Sequence, residues 1–569
     1  MLMNKHPSKA MASSAKLINI EGNDRMRSKH VWEKNLFPVS INARSRINWT
    51  NGRMLAIGAK SLSLSTDLRE INSNFKLQRL LQKESRLQKL QLSDHDLGCK
   101  GRGTTDKLLP VTSNLQELDL ELFDFHKGEN SFAKLIYRLK YCASTLKSLQ
   151  LVLNIETLPL DSVRILTHRL RQMSNLEKLS LAIYTTDLTP KKFRIVLAAI
   201  TSLKKLKALT LKMKNLPTVS ATAIVLTLSN GLENLSRLES LSLSFKCCQY
   251  WSDSPFSLLT TAISEQLPLL KCLSFELASL RFEMAGTESY LKPLRQLNQL
   301  KGLRLALCNL KNFSNREMKH IASIIQAQAF LRDLSLELSQ LPLIPAASWG
   351  MIVSSLEALA SPRMLNLNFD LVPKGRVKSF NDLDIEQLTK IIIKQGWTNL
   401  EYLRLNYRND HNNRPQLIDS ITTVLRFLPY LKELCLNFQL PDIYTDESLV
   451  SLSNAIDELE NLQELEFTLP KSRNISHEGL AKMAVTIGKK IRLKALHLNL
   501  TNPSRSCENE KFFDVLGDSL VGLPHLQNLS LLLTRISIND DSCSRFSKAL
   551  SQLKNLESFL WSLTYGGGP

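Results

Sequence analysis

The chain has 569 residues, 43% of them hydrophobic, and a formal charge of +20 with a pI near 9.5. That composition supports a large buried core, and no apolar run reaches the ~18 residues that mark a membrane-spanning helix. Nine cysteines, odd in number and without a Cys-x-x-Cys pair, argue against a zinc knuckle and against a disulfide framework.

In chain order, residues 1–58 read as a basic, partly irregular N-terminal tail. Residues 1–60 hold eleven Lys and Arg against three acids. The opening MLMNKHPSKAMASSAKLINI lacks the continuous apolar core of a secretory signal, and a mitochondrial address is the lesser reading beside a plain basic tail. Ala59-Lys-Ser-Leu62-Ser-Leu64 reads as a degenerate capping unit. From there to Leu563 one frame, Leu-x-x-Leu-x-Leu-x-Leu, returns sixteen times, starting at Leu87, Leu115, Leu146, Leu176, Leu206, Leu238, Leu270, Leu300, Leu331, Pro362, Leu400, Leu431, Leu462, Leu493, Leu526 and Leu556. Residues 564–569 form a short C-terminal tail.

Each frame alternates with period two, which predicts a strand with one buried face. The rest of each unit switches to helical steps, as in Leu160, Val163, Leu166, Leu170 and Met173, or Leu449, Leu452, Ile456 and Leu459. Thr189-Pro190 places a capping hydroxyl before a first-turn proline, and Ser314-x-x-Glu317 reads as a capping box. A unit this short cannot bury its apolar face alone and must stack on its neighbours. The expected fold is therefore an α/β solenoid over residues 59–563, a horseshoe with an inner parallel β-sheet and outer helices. Sixteen strands at a spacing of ~4.8 Å would give an inner arc on the order of 75 Å.

The frame resembles the leucine-rich repeat, and its length of roughly 31 residues with a full helix is similar to the ribonuclease-inhibitor-like class. One departure is consistent. The family expects Asn three residues after the third leucine, where it ties down the turn; here Asn154 stands there, but His95, Lys214, Cys308, Ser339, Arg408 and Pro470 occupy the same place elsewhere. Fifteen of the sixteen units instead carry an apolar residue two after that leucine, such as Phe245, Leu277, Phe369 and Phe438. This predicts a strand extended by one alternation and a turn held differently. The resemblance implies a protein-interaction scaffold or adaptor. The class also includes regulators of small GTPases and substrate receptors of ubiquitin ligases, but the acidic tail common in the former and the F-box-like segment of the latter are not found here.

Alternation also places the charge. The residues flanking the inward leucines on the expected concave face include five basic (Lys89, Lys178, Lys212, Arg304, Arg404) and nine acidic side chains. The strip is net −4 within a chain of +20, which leaves +24 elsewhere. A phosphate track would want Lys or Arg on successive units, together with stacking aromatics, and Tyr402 is the one outward aromatic there. Candidate partner-binding residues are Glu117, Asp119 and Glu121 on one strand, and Tyr402, Arg404, Glu433, Glu464 and Glu466 on three adjacent strands. These acids suit a basic protein segment, against the plainer reading of a solvated polar face.

One unit is 38 residues long, and its excess places Lys374, Arg376 and Lys378 near Arg408, His411 and Arg414 of the next unit, a candidate binding rim. Tyr250 and Trp251 are a candidate exposed anchor, or they pack under their loop. No phosphate loop, nucleophile elbow, zincin or kinase motif is present, so neither catalysis nor a cofactor nor a metal is expected. An alternative reading is association with nucleic acid or a ribonucleoprotein through the basic outer surface and N-terminal tail. Sequons such as Asn234-Leu235-Ser236 and Asn528-Leu529-Ser530 fall beside or inside the strand frame, where a glycan would obstruct the sheet. With the unpaired cysteines they favour an intracellular, reducing compartment: the cytoplasm first, with nucleus and mitochondrion as alternatives.

Overall fold

Every leucine frame becomes a strand. The computed structural model describes residues 17–20, 40–43, 61–65, 88–94, 114–123, 136–154, 159–184, 188–216, 218–247, 251–280, 282–283, 289–311, 313–341, 344–370, 382–408, 416–438, 444–469, 475–501, 509–534 and 540–564. They fall into two compact units, Met1–Pro293 and Leu294–Pro569.

In the first unit one parallel sheet is formed by β3 (Ser61–Ser65), β4 (Lys89–Asp94), β5 (Glu117–Phe123), β6 (Ser148–Asn154), β7 (Lys178–Tyr184), β8 (Ala208–Lys214), β9 (Ser240–Lys246) and β11 (Cys272–Ala278). Leu62 of β3 lies opposite Leu90 of β4. The N-terminal stretch, expected to be partly irregular, contains β1 (Leu17–Ile20) and β2 (Ser40–Ala43), paired in parallel. The short strands β10 (Trp251–Ser252) and β12 (Phe282–Glu283) form a second small pair. Helices α1 (Leu160–Gln172), α2 (Pro190–Ile200), α3 (Thr218–Gly231) and α4 (Asp253–Gln266) link the strands.

The second unit repeats the pattern with β13 (Gly302–Cys308), β14 (Asp333–Ser339), β15 (Met364–Asp370), β16 (Tyr402–Arg408), β17 (Glu433–Phe438), β18 (Glu464–Leu469), β19 (Ala495–Thr501), β20 (Asn528–Thr534) and β21 (Ser558–Thr564). Its helices are α5 (Asn315–Gln326), α6 (Ala346–Ser355), α7 (Asp382–Gln395), α8 (Gln416–Arg426), α9 (Asp446–Asp457), α10 (His477–Gly488), α11 (Asn509–Leu520) and α12 (Asp540–Gln552). Parallel strands need a crossover, and these helices supply it.

Frame leucine faces frame leucine in the register: Leu118, Leu149, Leu179 and Leu209 are successive partners, as are Leu434, Leu465, Leu496 and Leu529. All eight are buried. Each such side chain contributes about 1.5–3 kcal/mol, and a one-residue slip would move a whole set to the solvent face, so the register is pinned. Thr189 accepts from the Lys192 amide ahead of Pro190, and Ser314 with Glu317 closes a capping box.

The extended alternation is present. Phe245, Leu277, Phe369 and Phe438 are at most 1% exposed, inside strands of six or seven residues. The turn that follows is held by backbone conformation. Asn215, Cys247, Ser279, Asn309 and Gln340, each nine residues after its frame start, have φ between 52° and 61°. The amides of Asn215, Cys247 and Asn309 then donate to the last strand carbonyl of the next repeat, at 3.1, 2.9 and 2.9 Å. A left-handed residue thus does the work that the family's asparagine does elsewhere.

Two side-chain devices tie repeat to repeat. Asn175, Asn461 and Asn555, each just before a frame leucine, donate through Nδ2 to the carbonyls of Ser144, Pro429 and Pro524 in the preceding repeat, at 2.7, 3.1 and 2.6 Å. Three residues before the frame start nine of the sixteen repeats carry leucine, and among the other seven are Gln328, Trp397 and Lys490. Each is buried and donates to the carbonyl at the same place one repeat back: Leu297, Leu359 (3.0 Å) and Leu459 (3.5 Å). Lys490 also reaches the Asp457 carbonyl at 2.6 Å. Burial depresses its pKa, and Asp457 opposes that shift.

Candidate protein-interaction site

The strand residues that alternate with the frame leucines share the sheet face turned away from the helices. Zero-offset pairing sets them in columns. In the second unit one column runs Arg304, Ser335, Asn366, Arg404, Cys435, Glu466, His497, Ser530, and its neighbour runs Glu337, Asn368, Asn406, Asn437, Thr468, Asn499.

The candidate residues of this unit converge. Arg404 reaches across the intervening strand to Glu466, at 3.2 Å. Glu433 lies directly opposite Glu464, and neither carboxylate has an ion-pair partner among the described residues. Burial raises the Glu433 pKa; Glu464 adds to the shift and Arg404 opposes it. Tyr402 is half-buried under the Arg363 guanidinium, 5.2 Å from its ring centroid. Around them the Oδ1 atoms of Asn366, Asn368, Asn406 and Asn437 are buried without a hydrogen-bond donor. Cys435, in the same column, is buried and pushed up to about 12, mainly by desolvation, so its thiol is inert.

In the first unit Glu117, Asp119 and Glu121 share one strand face. Glu117 is exposed and pairs with Lys89 at 3.2 Å. Asp119 is half-buried, with one carboxylate oxygen unpartnered. Desolvation, then the charge of Glu121, pushes its pKa up to about 6 from 3.8, against a hydrogen bond from Gln150 and the charge of Lys89. The folded state thus holds this proton more tightly than the unfolded chain does. The linked stability is full below about pH 4 and is lost as the pH rises through 6. Two pKa units are about 3 kcal/mol, which solvent screening on a half-exposed group reduces to about 1–2 kcal/mol. Asp119→Asn is therefore expected to stabilise the first unit at pH 7.5 and to flatten its stability between pH 4.5 and 7.5 in urea titrations. A variant that keeps the parent's pH slope would reject this assignment.

The rim proposed from the long repeat is not brought together by the described residues. Lys374, Arg376, Lys378, His411 and Arg414 lie outside them, and Arg408 is placed only as the last residue of β16. Tyr250 also lies outside, and Trp251 opens β10 opposite Phe282. Among the described residues no three His, Cys, Asp or Glu side chains form a group able to hold a metal, and no helix is long and apolar enough to cross a membrane. None of the six described cysteines, Cys142, Cys247, Cys272, Cys308, Cys435 and Cys543, is in a disulfide.

The sequence reading missed one cluster. Tyr137 and Tyr141 stand exposed beside Lys140, with Arg169 of α1 behind them. The signal was Tyr-x-x-Lys-Tyr at helical spacing.

No family model matches the chain, and no curated protein matches it. Among solved structures, an internalin from Listeria monocytogenes is 15% identical, with 85% of this chain and 93% of that chain covered and a TM-score of 0.28. A likeness that loose lends no support to any reading; the repeat's own geometry carries the fold. Leucine frames paired in register, strand upon parallel strand with helices between them, give an α/β solenoid fold whose repeat resembles the leucine-rich repeat.

Proposed function

We propose that the chain is a non-enzymatic protein-interaction scaffold, and that the solvent face of the second unit's sheet takes a basic segment of a protein partner. The observation that carries this reading is the pair Glu433 and Glu464, set opposite each other with no cation between them. Like charges directly opposite on a sheet destabilise it, and a lysine or arginine from outside relieves both. Glu466, held by Arg404, and the unsatisfied amide oxygens of Asn406 and Asn437 extend the same acceptor-rich surface. The acids Glu117, Asp119 and Glu121 offer a second such place on the first unit. The basic residues Lys374, Arg376, Lys378, Arg408, His411 and Arg414 would serve as a rim contact for an acidic part of the partner.

The test is calorimetric titration of the full chain with a twelve-residue Lys/Arg-rich peptide over a salt series. Reversing Glu433 and Glu464 to lysine is expected to weaken binding about a hundredfold, the equivalent of ~2.7 kcal/mol. Reversing the exposed acids Glu447 and Glu478 of α9 and α10 should change it less than threefold. Equal losses from both pairs would mean that the peptide responds to net charge alone, and the site reading would fall.

A further inference from the structure

The cluster behind Tyr137 is independent of the sheet face. Ile136 and Leu139 are fully buried and fix this helical segment, which leaves Tyr137 49% and Tyr141 37% exposed. The two rings lie four residues apart, so they share one side of the turn. Lys140 straddles them, its Nζ 4.3 Å from the Tyr137 ring centroid and 4.8 Å from that of Tyr141, and donates to the Tyr137 hydroxyl at 3.2 Å. Arg169 approaches the same Tyr137 ring at 4.6 Å. It is only 8% exposed; one Nη donates to Gln172 at 2.8 Å, and its Nε is buried with no acceptor.

Two cations are therefore held at one aromatic ring, and neither is paired with a carboxylate. Burying a guanidinium without a carboxylate is unfavourable, and a like charge beside it makes it more so. Asp161, the one acid of α1, lies in its first turn, eight residues before Arg169, and is engaged by Arg164 at 3.1 Å. An anion at this place would satisfy what the fold leaves open. Two exposed rings are more than an isolated phosphate needs. They suit a ligand that alternates flat aromatic groups with phosphates.

We propose that Tyr137, Lys140, Tyr141 and Arg169 form a binding site for single-stranded nucleic acid, with bases stacked on the two rings and phosphates held by the two cations. An exposed ammonium over a tyrosine is a weaker contact than a stacked base, so an arriving base displaces Lys140 from the rings and frees it for the neighbouring phosphate. The site lies on helical segments of its two repeats and not on the acidic sheet face. It makes no use of the concave-face reading and stands or falls apart from it.

The experiment is fluorescence anisotropy of the full chain with a labelled twelve-nucleotide oligouridylate at several salt concentrations. Saturable binding is expected, weakened about a hundredfold in the double variant Tyr137→Leu, Tyr141→Leu, at roughly tenfold per ring. Tyr137→Trp, which keeps a stacking surface, should bind at least as well as the parent, and this separates stacking from any loss of folding. Lys140→Gln should lower the salt slope by about one. Lys319→Gln, an exposed lysine of α5, should change affinity less than twofold. Absence of saturable binding would overturn the proposal, and so would equal weakening by Lys319→Gln and the tyrosine variants. Displacement of the oligonucleotide by an equimolar phosphoserine peptide would assign the cluster to a phosphorylated protein instead.

Discussion

Replacing Trp397 by alanine is expected to destabilise the second unit by about 5 kcal/mol. The indole is 1% exposed and fills the place that leucine takes in most repeats. Its loss leaves a cavity, at about 3–5 kcal/mol for a large aromatic, and orphans the Leu359 carbonyl that Nε1 now satisfies at 3.0 Å, at about 1–3 kcal/mol more. Trp397→Phe divides the two terms: it keeps most of the ring and loses the bond, so only about 1–3 kcal/mol should go. The residue is also held from its N-terminal side. Gly396, at φ 65°, ends α7; its amide donates to Ile393 and that of Trp397 to Ile392, the two bonds of a left-handed helix stop. Guanidinium titration with hydrogen exchange over residues 382–408 reads both variants. A Phe variant as damaged as the Ala variant would place the whole effect in the hydrogen bond and leave none for packing.

The second large effect lies between α10 and α11. A Cβ on Gly488 would stand 2.7 Å from the Ser519 carbonyl oxygen and 2.9 Å from its Cα, and one on Gly522 would press on the Gly488 carbonyl. The obstacles are backbone, which cannot swing aside as a side chain does, so the helices would have to part. Gly488→Ala and Gly522→Ala are each expected to cost about 3 kcal/mol, the upper part of the overpacking range. Gly517, within α11, meets only Phe546 atoms at ordinary contact distances from 3.6 Å. Gly517→Ala should therefore be neutral, or stabilising by about 0.5–1 kcal/mol through helix propensity. Thermal unfolding of the three variants checks the contrast; three equal losses would show that flexibility, not close approach, governs this interface.

The parts of the fold that rest on periodicity were legible in the chain. The frame leucines, the extra apolar position at Phe245 or Phe369 and the stripe from Val163 to Met173 announce themselves, because spacing alone decides which face is buried. The turn was not legible. Its left-handed residues are Asn215, Cys247, Ser279, Asn309 and Gln340, with no glycine among them to mark the conformation. The inter-repeat donors left a fainter trace, a glutamine, a tryptophan and a lysine in a column where leucine is only the commonest residue, which reads as wear in the pattern until the carbonyl one repeat back is seen. At the sheet face, alternation placed Glu433, Glu464 and Glu466 together. It could not say that Arg404 would pass over Cys435 to Glu466 and leave the other two carboxylates alone, because that choice belongs to side-chain rotamers. The Tyr137 cluster escaped because it joins two helical segments of neighbouring repeats, and no spacing within one repeat displays it.

Six of the side-chain bonds to carbonyls that bind repeat to repeat share one direction, whereas the hydroxyls of Thr260 and Thr389 reach forward to Tyr290 and Ser420, at 2.6 and 3.4 Å. Asn175, Asn461, Asn555, Gln328, Trp397 and Lys490 all reach back to a residue nearer the N-terminus. A ribosome releases the chain in that same order, and domains generally begin to fold from the end that emerges first. A repeat leaving the exit tunnel with one of these six donors therefore brings it to a carbonyl already in place, whereas the turn amides of Asn215, Cys247 and Asn309 wait for the repeat that follows.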